Sequence, residues 1–249
     1  MQKHTIILWK RPKGESFEIM AKNAFEIIAK LNKFGDELKP KYLTSFKKSE
    51  CKEFDMTYSS FKNILRDNVS REGKMIFEDL GYSVSFFSSM EEDESATIDI
   101  SVGISNEKFY NTLIVGLPYS LNIFDEVMYS RLVDLFKELV GIFDPFWGCI
   151  ENDINVDRFD GELFQGSKPT TVHWLNYFGQ EIIKEIGMGK IEKAPIEELV
   201  QYPNGGCFVK IKTSPINDHY DKDVFFKNRL INAWDYDVLF TIRITSIMS

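Results

Sequence analysis

The residues most able to transfer protons or bind a metal ion are the three histidines, His4, His173 and His219. His4 lies beside a short apolar run, His173 in a mixed polar and aromatic segment, and His219 in a loop. None is spaced with a second histidine or cysteine as a zinc site requires. The spacing therefore predicts no metal site and no bound cofactor, and it leaves open only a metal site assembled from remote positions.

Cysteine chemistry is restricted in a similar way. Cys51, Cys149 and Cys207 are odd in number and far apart, so they do not describe a disulfide framework. Cys149 and Cys207 are conceivable nucleophiles with His173 as their base. Both lie in apolar segments that predict strands, where burial keeps a thiol protonated and inert. All three cysteines are therefore interpreted as reduced core thiols.

The glycine-rich and nucleophile motifs of common enzymes are missing from the sequence. It contains no G-x-S-x-G elbow, no P-loop and no dinucleotide-binding glycine pattern. The two glycines after Asn204 precede neither a Lys-Ser/Thr pair nor a helix start, which favours a turn over a phosphate cradle. The sequence predicts a protein that is not an enzyme. The alternative is a small hydrolase or transferase that uses His173 with remote carboxylates.

Acidic residues offer a different chemistry, the binding of a basic partner. The candidate partner-binding residues are Glu91, Glu92, Asp93, Glu94, Asp153, Asp157 and Asp160. They lie in predicted loops rather than in a shaped cleft, which disfavours general acid–base catalysis. They form either a solvated surface or a negative patch that engages Lys and Arg of a partner, where charge raises association rate and specificity.

Composition limits the class of protein. With 249 residues, 43% hydrophobic residues and 21 phenylalanines, the chain can bury a substantial core. A formal charge of -8 and a pI near 5.1 argue against a nucleic-acid binder, which needs a basic footprint. The apolar runs are too short for a signal peptide or a membrane span. We therefore expect a cytoplasmic protein that contacts neither nucleic acid nor membrane.

The elements that must position these residues begin with a strand and a helix. Thr5–Trp9 reads as a strand of edge-like character, which leaves Trp9 as a candidate surface anchor, and Ser16 caps a helix that ends at Gly35. A weak strand in residues 40–46 and a short helix capped by Thr57 follow. Three alternating segments at 82–87, 97–102 and 112–117 then predict an antiparallel meander with one polar face.

The second half repeats this mixture. We expect a helix that starts at Asn122 and ends near Gly141, a strand at 146–150, a helical turn within 194–202, a strand at 207–211, a helix around 226–234 and a strand at 238–245. The polar segment 153–166 is the candidate boundary if the single domain 1–249 divides into two lobes. The fold class predicted is α+β, with a mostly antiparallel or mixed central sheet and flanking helices.

Residues 168–189 predict the helix that organises the second half. Pro169 suits its start and Gly187 its end. Trp174, Leu175, Phe178, Ile182 and Ile186 would form its core-facing stripe, and His173, Asn176, Tyr177 and Gln180 its opposite side. Because that second side is polar but uncharged, we expect it to bond mainly within the chain, with a binding surface as the alternative.

Both halves of the chain carry a distinctive set of mainly aromatic, glycine and polar residues: Trp9, Arg11, Glu15, Ser16, Gly81, Tyr82, Gly103, Asn111 and Pro118, and Trp147, Gly148, the run from His173 to Gly179, Gly205, Gly206 and Pro215. In this set the chain resembles the immunity protein 52 family of bacterial polymorphic toxin and type VI secretion systems. The resemblance implies a bacterial protein that binds and neutralises a cognate toxin, often a nuclease, encoded by an adjacent gene. It transfers no toxin-contacting residues. A regulatory or scaffold module without a toxin partner is the further alternative.

Overall fold

The computed structural model describes residues 3–45, 47–152, 164–165, 168–169, 172–212 and 215. Its helices are α1 Phe17–Phe34, α2 Tyr58–Asp67, α3 Glu126–Phe143, α4 Gln180–Ile186 and α5 Met188–Lys193. Its strands are β1 His4–Lys10, β2 Tyr42–Leu43, β3 Lys52–Glu53, β4 Arg71–Glu72, β5 Met75–Ile76, β6 Tyr82–Phe87, β7 Thr97–Val102, β8 Asn111–Gly116, β9 Trp147–Asn152, β10 Phe164–Gln165, β11 Lys168–Pro169, β12 Leu175–Phe178, β13 Glu198–Gln201 and β14 Cys207–Lys210.

Ten of the described strands form one sheet, in the order β13-β14-β12-β9-β1-β8-β7-β6-β2-β3. Every pairing in it is antiparallel. The hairpins β4–β5 and β10–β11 stand apart from it. The predicted fold class, α+β with a mostly antiparallel sheet and flanking helices, is confirmed. Among the described residues, no helix combines the length and the apolar character needed to cross a bilayer.

Strand β1 lies in the middle of this sheet, so its predicted edge-like character is wrong. Ile7 pairs with Ile114 of β8 on one side and with Cys149 of β9 on the other. Trp9 is buried and stacks on Trp147, with ring centroids 4.4 Å apart and planes 6° from parallel. It is therefore a core residue rather than a surface anchor. Both neighbouring strands come from far along the chain, a fact that local sequence patterns do not contain.

Helices α1, α2 and α3 lie on one face of the sheet. Ser16 begins α1, where its hydroxyl accepts a hydrogen bond from the Ile19 N–H, and Thr57 begins α2 in the same way with the Ser60 N–H. Both caps confirm the predictions. Helix α3 is capped by Asp125 rather than by the predicted Asn122, so it starts three residues later than expected. The core between helices and sheet includes Ile6, Leu8, Ala24, Ile28, Phe61, Ile98, Ile100, Leu113, Leu132 and Phe136.

The predicted meander is confirmed as β6, β7 and β8. Its second face carries short polar side chains, as expected. Ser85 donates a hydrogen bond to the Asp99 carboxylate, and the Ser83 and Ser101 hydroxyls lie 2.9 Å apart. Ser83 is exposed, and the other three are half-buried. This part of the sheet is therefore a polar face that solvent or a partner can reach.

The helix predicted over 168–189 is wrong. Residues 175–178 form the buried strand β12 between β9 and β14, and helix α4 starts only at Gln180. Both faces of β12 are covered, so its sequence lacks the alternation of a half-exposed strand. The strand and helix are separated by Gly179, whose N–H donates to the Phe146 carbonyl. A Cβ at this position would lie 2.8 Å from that oxygen, so glycine permits the close approach.

The polar side chains of this segment do bond within the chain. Asn176 hydrogen-bonds both the N–H and the carbonyl of His173, and the Tyr177 hydroxyl accepts a hydrogen bond from Asn204. His173, Asn176 and Tyr177 are buried, whereas Gln180 is exposed. The expectation of internal hydrogen bonding is confirmed for Asn176 and Tyr177, although the segment is a strand.

The remaining differences lie near the far edge of the sheet. Instead of a helical turn within 194–202, the chain forms α5 before this segment and strand β13 in it. The turn after Asn204 and the following strand β14 are confirmed. The predicted helix at 226–234 and strand at 238–245 lie outside the described residues. The lobe boundary at 153–166 stays a prediction; β9 and β12, on either side of it in sequence, are neighbours in one sheet.

Candidate functional site

The acidic residues 91–94 form an exposed turn between β6 and β7. Residues Glu92–Glu94 make one turn of 3-10 helix, closed by a hydrogen bond from the Glu94 N–H to the Glu91 carbonyl. The loop is anchored at its base, where the buried Ser88 hydroxyl accepts a hydrogen bond from the Ala96 N–H at 2.8 Å. In the described part of the chain, none of the four carboxylates forms an ion pair. The turn therefore presents four negative charges to solvent.

A second loop, between β8 and α3, lies against this turn. The Ser120 N–H donates to the Asp93 carbonyl at 3.2 Å. Ser120 and Phe124 both line a cavity of about 160 Å³. Asp125 ends the loop by accepting a hydrogen bond from the Met128 N–H, which starts α3. The two loops thus belong to one surface at one end of the meander strands.

Two large apolar side chains project from this surface. Phe124 is 55% exposed and Val127 is 67% exposed. They lie next to Asp125 and Glu126, which are also exposed. We call residues 91–94 together with residues 124–127 the acidic edge. Apolar groups surrounded by charge are the composition of a protein-binding surface, where the apolar groups become buried and the charges form the rim.

Sequence reasoning found the acidic half of this surface and missed the apolar half. A signal was present, because Val127 falls outside the buried stripe of α3, which includes Leu132, Leu135, Phe136 and Leu139. Asp153, Asp157 and Asp160, the other predicted partner-binding residues, lie outside the described residues. Of the predicted partner-binding residues, the structure describes Glu91, Glu92, Asp93 and Glu94, and it places these four on one turn.

The opposite end of the same strands carries a shallow cavity of about 330 Å³. Its walls include Trp9, Phe109 and Tyr110, and Lys108 is the charged residue in its lining. Phe109 is half-exposed. This composition suits an apolar group rather than a reacting polar substrate, because no set of titratable groups converges on the cavity.

A second cluster of chemically capable residues lies in the sheet itself. Cys149 and Glu151 are two residues apart on β9 and point to the same side, and His173 lies just before β12. One donor atom of each residue lies within 4.8 Å of the other two. All three are buried, with exposed fractions of 0%, 4% and 1%. Sequence reasoning considered Cys149 with His173 and missed Glu151, although the alternation along β9 places the two side chains on one face.

Burial of this cluster disfavours the hydrolase or transferase alternative. A nucleophile and its base must be reached by substrate, and none of the three side chains exceeds 4% exposure. His4, the other histidine among the described residues, is buried as well. It lies at the start of β1, where its ring is nearly perpendicular to that of Phe124 with the centroids 6.4 Å apart, and His219 lies outside the described residues.

Cys207 and the tyrosines near β12 are likewise held in their neutral forms. Burial raises the pKa of the Cys207 thiol to about 12 and that of the Tyr202 hydroxyl to about 12. Burial also raises the pKa of Tyr129 and Tyr177. The three tyrosine hydroxyls form hydrogen bonds within the chain; Tyr129, for example, donates to the Lys212 carbonyl and accepts from the Trp174 indole.

One ion-pair network ties α3 to the edge of the sheet. The Glu198 carboxylate accepts hydrogen bonds from Lys137 at 2.5 Å and from Lys210 at 2.8 Å. Burial alone would raise the pKa of Glu198, but the two lysines outweigh that effect and hold the pKa below its usual value. These three residues link α3, β13 and β14.

Comparison with known proteins identifies a shared fold. No protein-family model matches the chain, and no curated protein matches it. The solved structure of the Pseudomonas aeruginosa T6SS protein PA0821 is similar, with a TM-score of 0.64 and 12% sequence identity. The match covers 96% of this chain and 74% of that protein. At this identity the similarity shows that the two chains have the same fold.

Proposed function

We propose that the protein is a type VI secretion immunity protein that neutralises a cognate toxin by stoichiometric binding. The observation that carries this proposal is the fold, which matches a T6SS protein over 96% of the chain. The resemblance of the HWLNYFG segment and the other residues named above to the immunity protein 52 family supports the same function. The toxin is expected to be the product of an adjacent gene, and a nuclease is the expected class.

The acidic edge is the proposed toxin-binding surface. Its four carboxylates on residues 91–94 are exposed and lack ion-pair partners among the described residues, so binding need not break existing pairs. Phe124 and Val127 supply apolar area that a partner would remove from water, at about 25 cal/mol per Å². A toxin that acts on nucleic acid carries a basic surface for phosphate, and such a surface complements this edge.

The protein is proposed to act by binding rather than by turnover. Its cluster of thiol, carboxylate and imidazole is buried beneath the sheet surface, and its cavity beside Phe109 lacks converging titratable groups. A binding protein needs only a complementary surface, whereas an enzyme needs a nucleophile or base that substrate can approach. The described residues fit the first requirement better than the second.

Co-expression tests this proposal. The toxin encoded beside this gene should arrest growth when expressed alone, and co-expression of the protein should restore growth. A tagged form should also co-purify with the toxin at a fixed ratio. Failure to bind and to protect would refute the proposal, and a His173→Ala protein that folds but loses protection without losing toxin binding would favour the enzymatic alternative.

A matched pair of variants locates the surface. Charge reversal at Glu91, Glu92 and Glu94 should weaken protection and binding. The control reverses the same number of charges at Glu72, Glu78 and Glu107, which are exposed near the opposite end of β6 and β7. Both triple variants change net charge equally, so a loss confined to the first locates the toxin on the acidic edge. Equal losses of binding in the two variants would show that only the net charge of the protein matters. A loss confined to the control variant would place the interface at the end of the strands that carries Glu72, Glu78 and Glu107.

A further inference from the structure

The buried cluster of Cys149, Glu151 and His173 has the donor chemistry of a metal site. Thiolate sulfur, imidazole nitrogen and carboxylate oxygen are the three ligand types that zinc uses in proteins. The three donor atoms lie within 4.8 Å of one another. In a tetrahedral zinc site such atoms are roughly 3.5 Å apart, so side-chain rotations that shorten the distances by about 1 Å would place the three donors at three of the four ligand positions, with a water molecule as the fourth ligand.

The strand register explains why the three residues meet. Cys149 and Glu151 are two positions apart on β9, so their side chains lie on the same face of the sheet. Asn176 of β12 is the cross-strand neighbour of Cys149 on that face. Asn176 accepts a hydrogen bond from the His173 N–H at 2.9 Å and donates one to the His173 carbonyl at 2.6 Å. These two bonds fix the backbone of His173, so the ring is held beside β9 without help from a metal ion.

Charge balance favours a divalent cation in this environment. A thiolate and a carboxylate together carry two negative charges, and a neutral imidazole adds none. With one divalent cation the group is neutral, which greatly lowers the cost of placing it in the core. The fully buried Trp147 contributes apolar surface to this environment, since its ring centroid lies 6.0 Å from that of His173.

We propose that Cys149, Glu151 and His173 bind one divalent cation of the zinc class inside the sheet. The site goes beyond the proposed toxin binding and does not depend on it. Binding displaces the proton of the Cys149 thiol to solvent and links β9 to the segment before β12. The cation therefore stabilises the half of the sheet on which the second part of the chain is built.

Metal analysis of the native protein tests the site. Protein purified without chelator should retain about one equivalent of zinc by elemental mass spectrometry. After removal of the metal, titration with Co²⁺ alone should produce thiolate-to-cobalt charge-transfer absorption and the visible bands of a tetrahedral site. Protein that retains no zinc and gives no charge-transfer absorption would overturn the proposal and identify the cluster as a hydrogen-bonded group only.

Substitutions assign the ligands. Cys149→Ser should abolish the charge-transfer absorption, and Glu151→Gln should weaken Co²⁺ binding by at least about tenfold. Cys207→Ser is the matched control, because Cys207 is also a buried thiol of this sheet and is not part of the cluster. Loss of the absorption in Cys207→Ser with retention in Cys149→Ser would overturn the assignment.

A measurement on the unaltered protein covers the case in which these variants fail to fold. Zinc added to metal-free native protein should raise its melting temperature, and chelator should reverse the rise, because the ion binds the folded state preferentially. A melting temperature that does not respond to zinc or to chelator would count against the site. Toxin binding is measured separately, so failure of this inference is distinguishable from failure of the proposed function.

Discussion

Asn176→Ala is expected to be the most destabilising single change at the centre of the second half. The Asn176 side chain is fully buried. Its oxygen accepts a hydrogen bond from the His173 N–H at 2.9 Å, and its nitrogen donates to the His173 carbonyl at 2.6 Å. The methyl group of alanine can do neither. The substitution therefore leaves the N–H and the carbonyl of one buried residue without these partners.

The size of the effect follows from these two groups. Each buried polar group that loses its partner costs about 1–3 kcal/mol, so the expected loss is about 2–6 kcal/mol. Removal of the amide also leaves a small cavity between β9 and β14, which adds to the loss. Since small domains unfold with about 5–15 kcal/mol, this one substitution removes a large part of the total stability.

Urea denaturation followed by tryptophan fluorescence measures the change in the free energy of unfolding. Asn176→Asp is a useful second variant, because a carboxylate can still accept from the His173 N–H but cannot donate to the carbonyl. The matched control is Asn122→Ala. Asn122 is exposed and its side chain accepts one hydrogen bond from the Phe124 N–H, so its loss should stay below about 1 kcal/mol. A loss below about 1 kcal/mol for Asn176→Ala would refute the reasoning.

Three further predictions concern the surface and the ion-pair network. Charge reversal at Glu91, Glu92 and Glu94 should slow association with the toxin by about tenfold or more at low salt and reduce its salt dependence, which stopped-flow mixing measures. Phe124→Ala should weaken toxin binding by about 1–2 kcal/mol and lower stability by less than about 1 kcal/mol, as measured by calorimetry and melting. Glu198→Gln should cost about 1 kcal/mol at neutral pH, and the difference should disappear in acid, as measured by denaturation at several pH values.

The pH dependence of the stability loss in Glu198→Gln follows from the pKa of Glu198, which is lower in the folded protein than its ordinary value. A lowered pKa means that the folded protein binds the proton less readily, so Glu198 contributes stability above its unfolded pKa of about 4.5. That contribution is lost as the pH falls through the folded pKa. A difference between wild type and Glu198→Gln that grows in acid would contradict this pH dependence.

Controls separate the other two predictions from general damage. For the acidic turn, the control variant reversed at Glu72, Glu78 and Glu107 has the same net charge as the variant reversed at Glu91, Glu92 and Glu94. An unchanged association rate in the variant of the acidic turn would show that the toxin binds elsewhere. For Phe124, the control is Ile76→Ala, because Ile76 is similarly exposed on the separate β4–β5 hairpin. Equal loss of binding in both variants would contradict a specific role for Phe124.

Local signals in the sequence predicted the elements whose ends and faces are set locally. Ser16 and Thr57 are helix caps because their hydroxyls reach an N–H three residues later, which is a property of short segments. The meander was predictable because β7 has one buried and one polar face, and its alternation follows directly. The run of charged residues 91–94 has no apolar side chain to bury, so it predicts a loop, and the structure places it in an exposed turn.

The segments that sequence reasoning misread depend on distant contacts. Both faces of strand β12 are buried, so its apolar residues do not alternate with exposed ones, and their pattern predicts a helix instead. β1 lies at the centre of the sheet because β8 and β9 pair with it from more than 100 residues away. The meeting of Cys149, Glu151 and His173 likewise depends on a register between strands that no local pattern encodes.

Calorimetric titration of the purified protein with the product of the adjacent toxin gene tests the central claim most directly. We expect saturable binding at a fixed stoichiometry, with the charge-reversed variant at Glu91, Glu92 and Glu94 binding more weakly than the control reversed at Glu72, Glu78 and Glu107. Absence of heat and of complex formation at concentrations well above the dissociation constant of a stable protein complex would contradict the proposal that the protein is an immunity protein.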